Sequence, residues 1–190
     1  ILSIFATGRY EMAIMLPDNR EEVKSILRLI LAIMFTIVTI IFAIVLFLNH
    51  FIAELLGNGQ ISTWLYFLPF SVLLIATHQT LNYLVIREKE FPLLAKTKVA
   101  LATSVGTTKL GSGIILKNSF GLLLGNLFGY IVTIYLILRK KNIQSYFKNT
   151  SISIKKTAQK YKKFPQYDVP AIVVNLFANQ LPLLLLGKFF

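Results

Sequence analysis

Apolar positions in this chain fall in unbroken runs, not at alternate positions. Leu29 to Leu48, LILAIMFTIVTIIFAIVLFL, holds twenty residues without a charge. At about 1.5 Å per residue such a run makes a helix of about 30 Å, the thickness of a bilayer core. Five further runs follow the same logic: Ile1 to Leu16, Ile61 to Ile86, Val99 to Leu116, Ser119 to Leu138 and Val169 to Phe190. Pro17, the Gly57-Asn58-Gly59 cluster, Pro92 and the Lys117-Asn118 pair punctuate them. Strands of a membrane barrel would alternate with period two, and these do not. The pattern predicts an all-α integral membrane protein. The chain opens at Ile1 and closes inside an apolar run, LPLLLLGKFF, so it reads as an internal piece of a longer protein.

Composition agrees, with 55% hydrophobic residues in 190. The net charge of +12 raises the question of nucleic acid, and the placement of the charges answers it. Arg9, Arg20, Lys24 and Arg28 flank the first connection. Arg87, Lys89, Lys96 and Lys98 surround the third, and residues 139–168 carry nine more. The intervening connections hold only Lys117, with Lys109 and Lys188 inside runs. Such alternation is the positive-inside pattern, so the basic loops are expected on the cytoplasmic side of a multi-pass membrane protein, with no nucleic acid as partner. The stretch 139–168 reads as a solvated cytoplasmic linker that touches anionic membrane lipids as a secondary property. It divides the chain into a first membrane bundle, 1–138, and the start of a second, 169–190.

No enzyme constellation emerges. There is no cysteine, and His50 and His78 lack metal-ligand spacing. HExxH, GxSxG and a phosphate-binding glycine loop are absent from the sequence, so neither a metal nor another cofactor is expected. Glu88 and Glu90 read as surface partners of Arg87 and Lys89, and Asp18, Glu21 and Glu22 as a helix start.

Polar residues inside the runs are more informative, because each needs a partner there. Gly121, Gly125 and Gly129 recur every four residues and form one flat stripe for close helix packing. Asn126 and Tyr130 stand beside it, either bonding a neighbouring helix or lining a cavity. Ser71, His78 and Asn82 share a stripe with Gln79 next to it, and Asn175, Asn179 and Gln180 repeat the pattern near the chain end, where Pro182 would kink the helix. Lys109 shares a face with Gly106 and Gly113, which points it at neighbouring helices and a wet cavity; the competing readings are a side chain snorkelling to the headgroups and a buried ion pair.

Two blocks carry a family resemblance. GRYEMAIMLPDNREEV, Gly8 to Val23, resembles the Arg-Tyr-Glu-x-Ala signature of bacterial polysaccharide transporters. YKKFPQYDVPAIVVNLFANQLPLLLLGKFF, Tyr161 to Phe190, resembles the block that opens their second lobe. The family is the O-antigen and capsular polysaccharide flippases of the multidrug/oligosaccharidyl-lipid/polysaccharide exporter superfamily, and the similarity spans essentially the whole chain. It implies a two-lobed, repeat-type transporter of which this chain is a partial bundle. It further implies translocation of undecaprenyl-diphosphate-linked oligosaccharides, with other polysaccharide assembly proteins as further partners. It implies that Lys109 receives the diphosphate; His78, Asn82, Asn126 and Asn179, polar residues read from their spacing within the runs, complete the expected substrate-binding set. Arg9 and Glu11 take gating or structural roles beside the Gly121, Gly125 and Gly129 stripe. A small-molecule exporter of the same superfamily and a membrane-embedded polymerase or glycosyltransferase are the rival readings. The first should favour carboxylates in its cleft, and the second should show large outer loops.

Overall fold

A computed structural model describes residues 2–55, 61–116, 120–147, 152–175 and 177–179. The Gly57-Asn58-Gly59 and Lys117-Asn118 breaks, Gln180, Pro182 and Lys188 lie outside the described residues. Every regular element among those described is helical. The chain is an all-α membrane protein. Among the described residues three helical stretches are long and apolar enough to cross a bilayer: Arg20–Glu54, Ser62–Arg87 and Gly121–Leu138.

The longest helix, α3 (Arg20–Leu55), has 36 residues and extends well beyond its charge-free run. Its start is set by Asn19, whose Oδ1 accepts the Glu21 backbone N–H at 2.9 Å, while Glu21 and Glu22 occupy the positive first turn. Before it lie α1 (Leu2–Thr7) and α2 (Tyr10–Ala13). The single helix expected over Ile1 to Leu16 is therefore interrupted. Gly8 and Arg9 both take left-handed φ, 56° and 60°, which ends α1 and turns the chain.

A second interruption separates α4 (Ile61–Leu65) from α5 (Leu68–Arg87). Pro69 has no N–H to give to the Leu65 carbonyl, and its ring crowds that turn, so Tyr66 and Phe67 form a bend instead. Pro92, expected as a break, instead sits in the first turn of α6 (Phe91–Leu116), where a missing N–H costs nothing. Lys96 and Lys98 are consequently helical. Helix α6 is 26 residues long, yet it is not among the three apolar spans. Its lysines, serines and threonines dilute its apolar character. It pairs lengthwise with α7 (Phe120–Leu138).

Side-chain burial concentrates at the basic end of the bundle. There Ile14, Val23, Ile26, Ile30, Leu84 and Ile137 close a core of fully buried side chains. Along the spans the arrangement inverts: Phe47 is 85% exposed and Ile114 77%. Large apolar residues facing outward are what a lipid solvent permits and water does not.

The reading of 139–168 as a solvated linker needs correction. Past α8 (Lys141–Gln144), one turn of 3₁₀ helix (Ser145–Phe147), α9 (Ile154–Lys160) and a π-helical turn (Phe164–Asp168) fold back on the bundle. Ile143, Tyr146, Thr157 and Tyr161 are buried. Ser25 and Thr157 hydroxyls meet at 2.6 Å, and Tyr161 donates to Glu22 at 3.1 Å, joined there by Lys160. Glu88 accepts from Tyr146 and pairs with Arg20 at 3.4 Å, and Glu90 pairs with Lys140 at 3.4 Å. These acids therefore serve distant segments and not Arg87 and Lys89, their neighbours in sequence. Arg87 instead donates to the Ile14 carbonyl at 2.8 Å, which leaves Glu88 to the incoming linker.

Protonation follows the docking. Burial, then the Glu88 carboxylate, pushes the Tyr146 phenol up, and burial, then Glu22, does the same to Tyr161. The bond to Glu22 raises the Lys160 ammonium. Removing the Tyr146 hydroxyl tests how firmly the linker is held. A hydrogen bond to a charged group contributes about 1.5 kcal/mol, so Tyr146→Phe should raise local opening about tenfold. Tryptic cleavage at Lys155 and Lys156 of the full-length protein in detergent should accelerate by that factor. Unchanged cleavage would mean that the Tyr146–Glu88 contact does not anchor the linker.

Candidate functional site

A cleft of about 510 Å³ lies between α4 and α5 on one side and α7 on the other, toward the end opposite the basic loops. Trp64, Ser71 and Ile75 line one wall; Leu122, Asn126, Leu127 and Tyr130 are on the other. Spacing explains the second wall. Asn126 and Tyr130 are one turn apart on α7, next to the glycine stripe that faces α6, so they turn toward α5. Of the two readings open for this pair, cavity lining is the one the structure adopts. Among the described residues no charged side chain lines the cleft. It offers an indole, a phenol, an amide and a hydroxyl.

His78 continues the α5 wall. Its ring lies 5.2 Å from that of Tyr130, tilted by 59°. The Asn82 amide nitrogen lies 3.3 Å from both ring nitrogens of His78. Of the predicted stripe, His78 and Asn82 are bonded to each other, while the Ser71 hydroxyl bonds the Phe67 carbonyl one turn back at 2.9 Å. Gln79, adjacent to it, serves a different purpose. It donates to Glu11 Oε1 at 3.4 Å and ties α5 to α2.

The glycine stripe packs against α6 closely. A Cβ on Gly125 would stand 2.6 Å from Lys109 Cγ and 3.3 Å from the Val105 carbonyl oxygen. One on Gly121 would collide with the Ser112 side chain, and one on Gly129 with Val105. The contact face of α6 is therefore Leu101, Val105, Lys109 and Ser112. Gly106 and Gly113, expected to share that face with Lys109, have nothing within 4 Å of where a Cβ would be. Lys109 lays its stem over Gly125, one residue before the cleft's Asn126, but is not itself a lining residue.

Two other expected residues lie elsewhere. Asn179 donates to Asn175 Oδ1 at 2.8 Å, one turn back on an exposed helical stretch, and does not line the cleft. Arg9 and Glu11 pair at 3.6 Å near the basic end, with the Glu11 side chain fully buried. Trp64 and Leu122 were not singled out from the sequence as site residues. The aromatic start of the Ile61 run was the available signal for Trp64. Among the described residues no cluster of three or more His, Asp or Glu offers a metal site.

No curated protein and no solved structure matches the chain. A family model does, over residues 7–190, and its extent includes the Arg9–Glu11 turn, both walls of the cleft and the docked linker. The chain therefore belongs to the family described as polysaccharide biosynthesis protein.

Proposed function

We propose that this chain forms part of a flippase that moves undecaprenyl-diphosphate-linked oligosaccharides across the bacterial cytoplasmic membrane, with the basic end in the cytoplasm. The observation that carries the reading is the pairing of Lys109 with the α5–α7 cleft. The Lys109 side chain is half-buried, with its stem packed against α7 at Gly125, one residue before the cleft's Asn126, beside an aromatic and amide-lined space. Lysine inside a membrane-embedded helix is costly unless it serves a polar partner. A diphosphate supplies that partner. Sugars suit the rest, since Trp64 and Tyr130 offer ring faces and Asn126 and Ser71 hydrogen bonds. The substrate's apolar tail stays in lipid, and rocking of one lobe against another exchanges the side to which the site opens. The family assignment to polysaccharide biosynthesis supports a sugar-bearing substrate.

The test is surface-glycan complementation with the full-length protein. Lys109→Ala should lower export to below a fifth of the unmodified level at equal membrane abundance. Lys109→Arg should keep most of it. Equal export by both variants and the parent would remove Lys109 from the substrate path. Because the chain has no cysteine, single cysteines introduced at Lys155 or Thr63 report the orientation directly. Labelling of the first from outside the cell would overturn the assignment of sides.

A further inference from the structure

A second cleft, of about 400 Å³, opens at the basic end between the start of α6 and the end of α7. Its rim carries Lys96, Arg139, Lys140 and Glu90, and its apolar wall is Pro92, Leu93 and Leu136. Three cations face one carboxylate. Lys140 is occupied with Glu90 at 3.4 Å, and Lys96 forms no ion pair among the described residues. The Arg139 guanidinium rests on the Tyr135 ring, 5.6 Å from its centroid, and its backbone N–H bonds the Tyr135 carbonyl at 3.1 Å. Tyr135 is an exposed residue of a membrane-crossing helix, so this stacking holds the guanidinium along the lipid-facing wall.

Depth fixes the ligand class. Arg139 is the first residue after the apolar span Gly121–Leu138, which places it where hydrocarbon gives way to headgroups. Leu136, one turn inward, and Pro92 lie where the first carbons of a lipid tail would run. A cationic rim over an apolar floor at that depth matches a phosphate joined to a hydrophobic chain. The planar guanidinium can grip two phosphate oxygens, while Lys96 adds a point charge from the opposite helix.

We propose that the cleft formed by Lys96 and Arg139 above Pro92 and Leu136 binds the phosphate of a membrane lipid whose headgroup is net anionic. It is distinct from the Lys109 site, since no residue is shared. It stands whether or not Lys109 carries substrate. Two lipids bear the required chemistry: a diacyl phospholipid with an anionic headgroup, and an isoprenoid diphosphate.

Native mass spectrometry of the full-length protein, titrated with phosphatidylglycerol or phosphatidylcholine, reads occupancy without any transport. Phosphatidylglycerol should be retained in preference. Lys96→Gln and Arg139→Gln should each weaken it about fivefold, and Arg139→Lys less. Lys155→Gln with Lys156→Gln removes two exposed charges of α9 outside the cleft and should change little. Melting temperatures of all variants should match the parent, since the substituted side chains are exposed. Displacement of phosphatidylglycerol by equimolar undecaprenyl diphosphate would identify the isoprenoid as occupant, and its persistence would identify the diacyl lipid; both support a phosphate site. Equal retention of phosphatidylcholine, no loss in the cleft variants, or an equal loss in the α9 variant would overturn it.

Discussion

Gly125→Val should abolish a monodisperse, folded protein in detergent, whereas Gly106→Ala, on the facing helix, should leave it intact. The contrast comes from what each new atom would meet. A Cβ on Gly125 would lie 2.6 Å from Lys109 Cγ, 3.3 Å from the Val105 oxygen and 3.4 Å from the Lys109 nitrogen. A χ1 change could move Lys109 Cγ, but the other two atoms are backbone and cannot move aside, so the two further carbons of valine have no room between the helices. The helices must separate. Overpacking by one or two methylenes typically costs about 1–3 kcal/mol. Valine brings three carbons against a backbone, so a loss of about 3 kcal/mol or more is expected. Separation also opens the contacts at Gly121 and Gly129, which meet Ser112 and Val105 on the same face. Gly106 has nothing within 4 Å, so alanine there adds helix propensity of up to about 1 kcal/mol without a clash. Size-exclusion profiles at matched expression distinguish the two outcomes. If Gly125→Val elutes as the parent does, close packing of α6 on α7 is not what the stripe provides.

That stripe was legible in the sequence because its period is local: three glycines at four-residue intervals specify a flat helical face whatever lies opposite. The same holds for Asn126 and Tyr130, whose position beside the stripe turns them toward the cleft. The partner surface was not legible. Gly106 and Gly113 share the period of Lys109, yet α7 approaches along Leu101, Val105, Lys109 and Ser112. One helix's sequence defines its faces but not which face its neighbour takes. The two helix breaks at Gly8–Arg9 and Tyr66–Phe67 were missed for another reason. Apolar content runs straight through both, and only the backbone chemistry of Gly8 and Pro69 marks them.

The linker shows the limit most clearly. Nine cations in residues 139–168 dominate its composition and suggest a solvated segment. Its docking rests on a few apolar and aromatic residues among them, Ile143 with Tyr146 and Tyr161 with Phe164, each pair three apart. That spacing was available as a signal of two short buried faces. Pairings such as Tyr146 with Glu88 and Tyr161 with Glu22 span large sequence separations and have no local trace.

Arg9→Met is expected to be nearly as damaging as the Gly125 change, and its rescue separates two roles for the same pair. Glu11 is fully buried in the turn after α1, and its carboxylate is met by Arg9 at 3.6 Å and by Gln79 at 3.4 Å, with Thr7 as a further partner. Removing the guanidinium leaves a buried anion with only neutral donors, a change that typically costs about 3–5 kcal/mol. Gln79 and Thr7 soften it, so a loss of about 3 kcal/mol is expected in denaturant titrations in mixed micelles. Arg9→Met with Glu11→Gln deletes both charges and keeps a neutral partner for Gln79. The double variant should recover most of the stability, because the penalty lies in the stranded charge and not in the lost attraction. Additive losses would show that the two side chains are not coupled. Transport then discriminates further. Where the pair only fixes the left-handed turn at Gly8 and Arg9, export returns with stability. A pair that must break and re-form during each cycle would leave the stable double variant unable to export. The fully buried Glu11, tied to α5 through Gln79 as well as to Arg9, favours the first outcome, since opening would expose a carboxylate anchored on two sides.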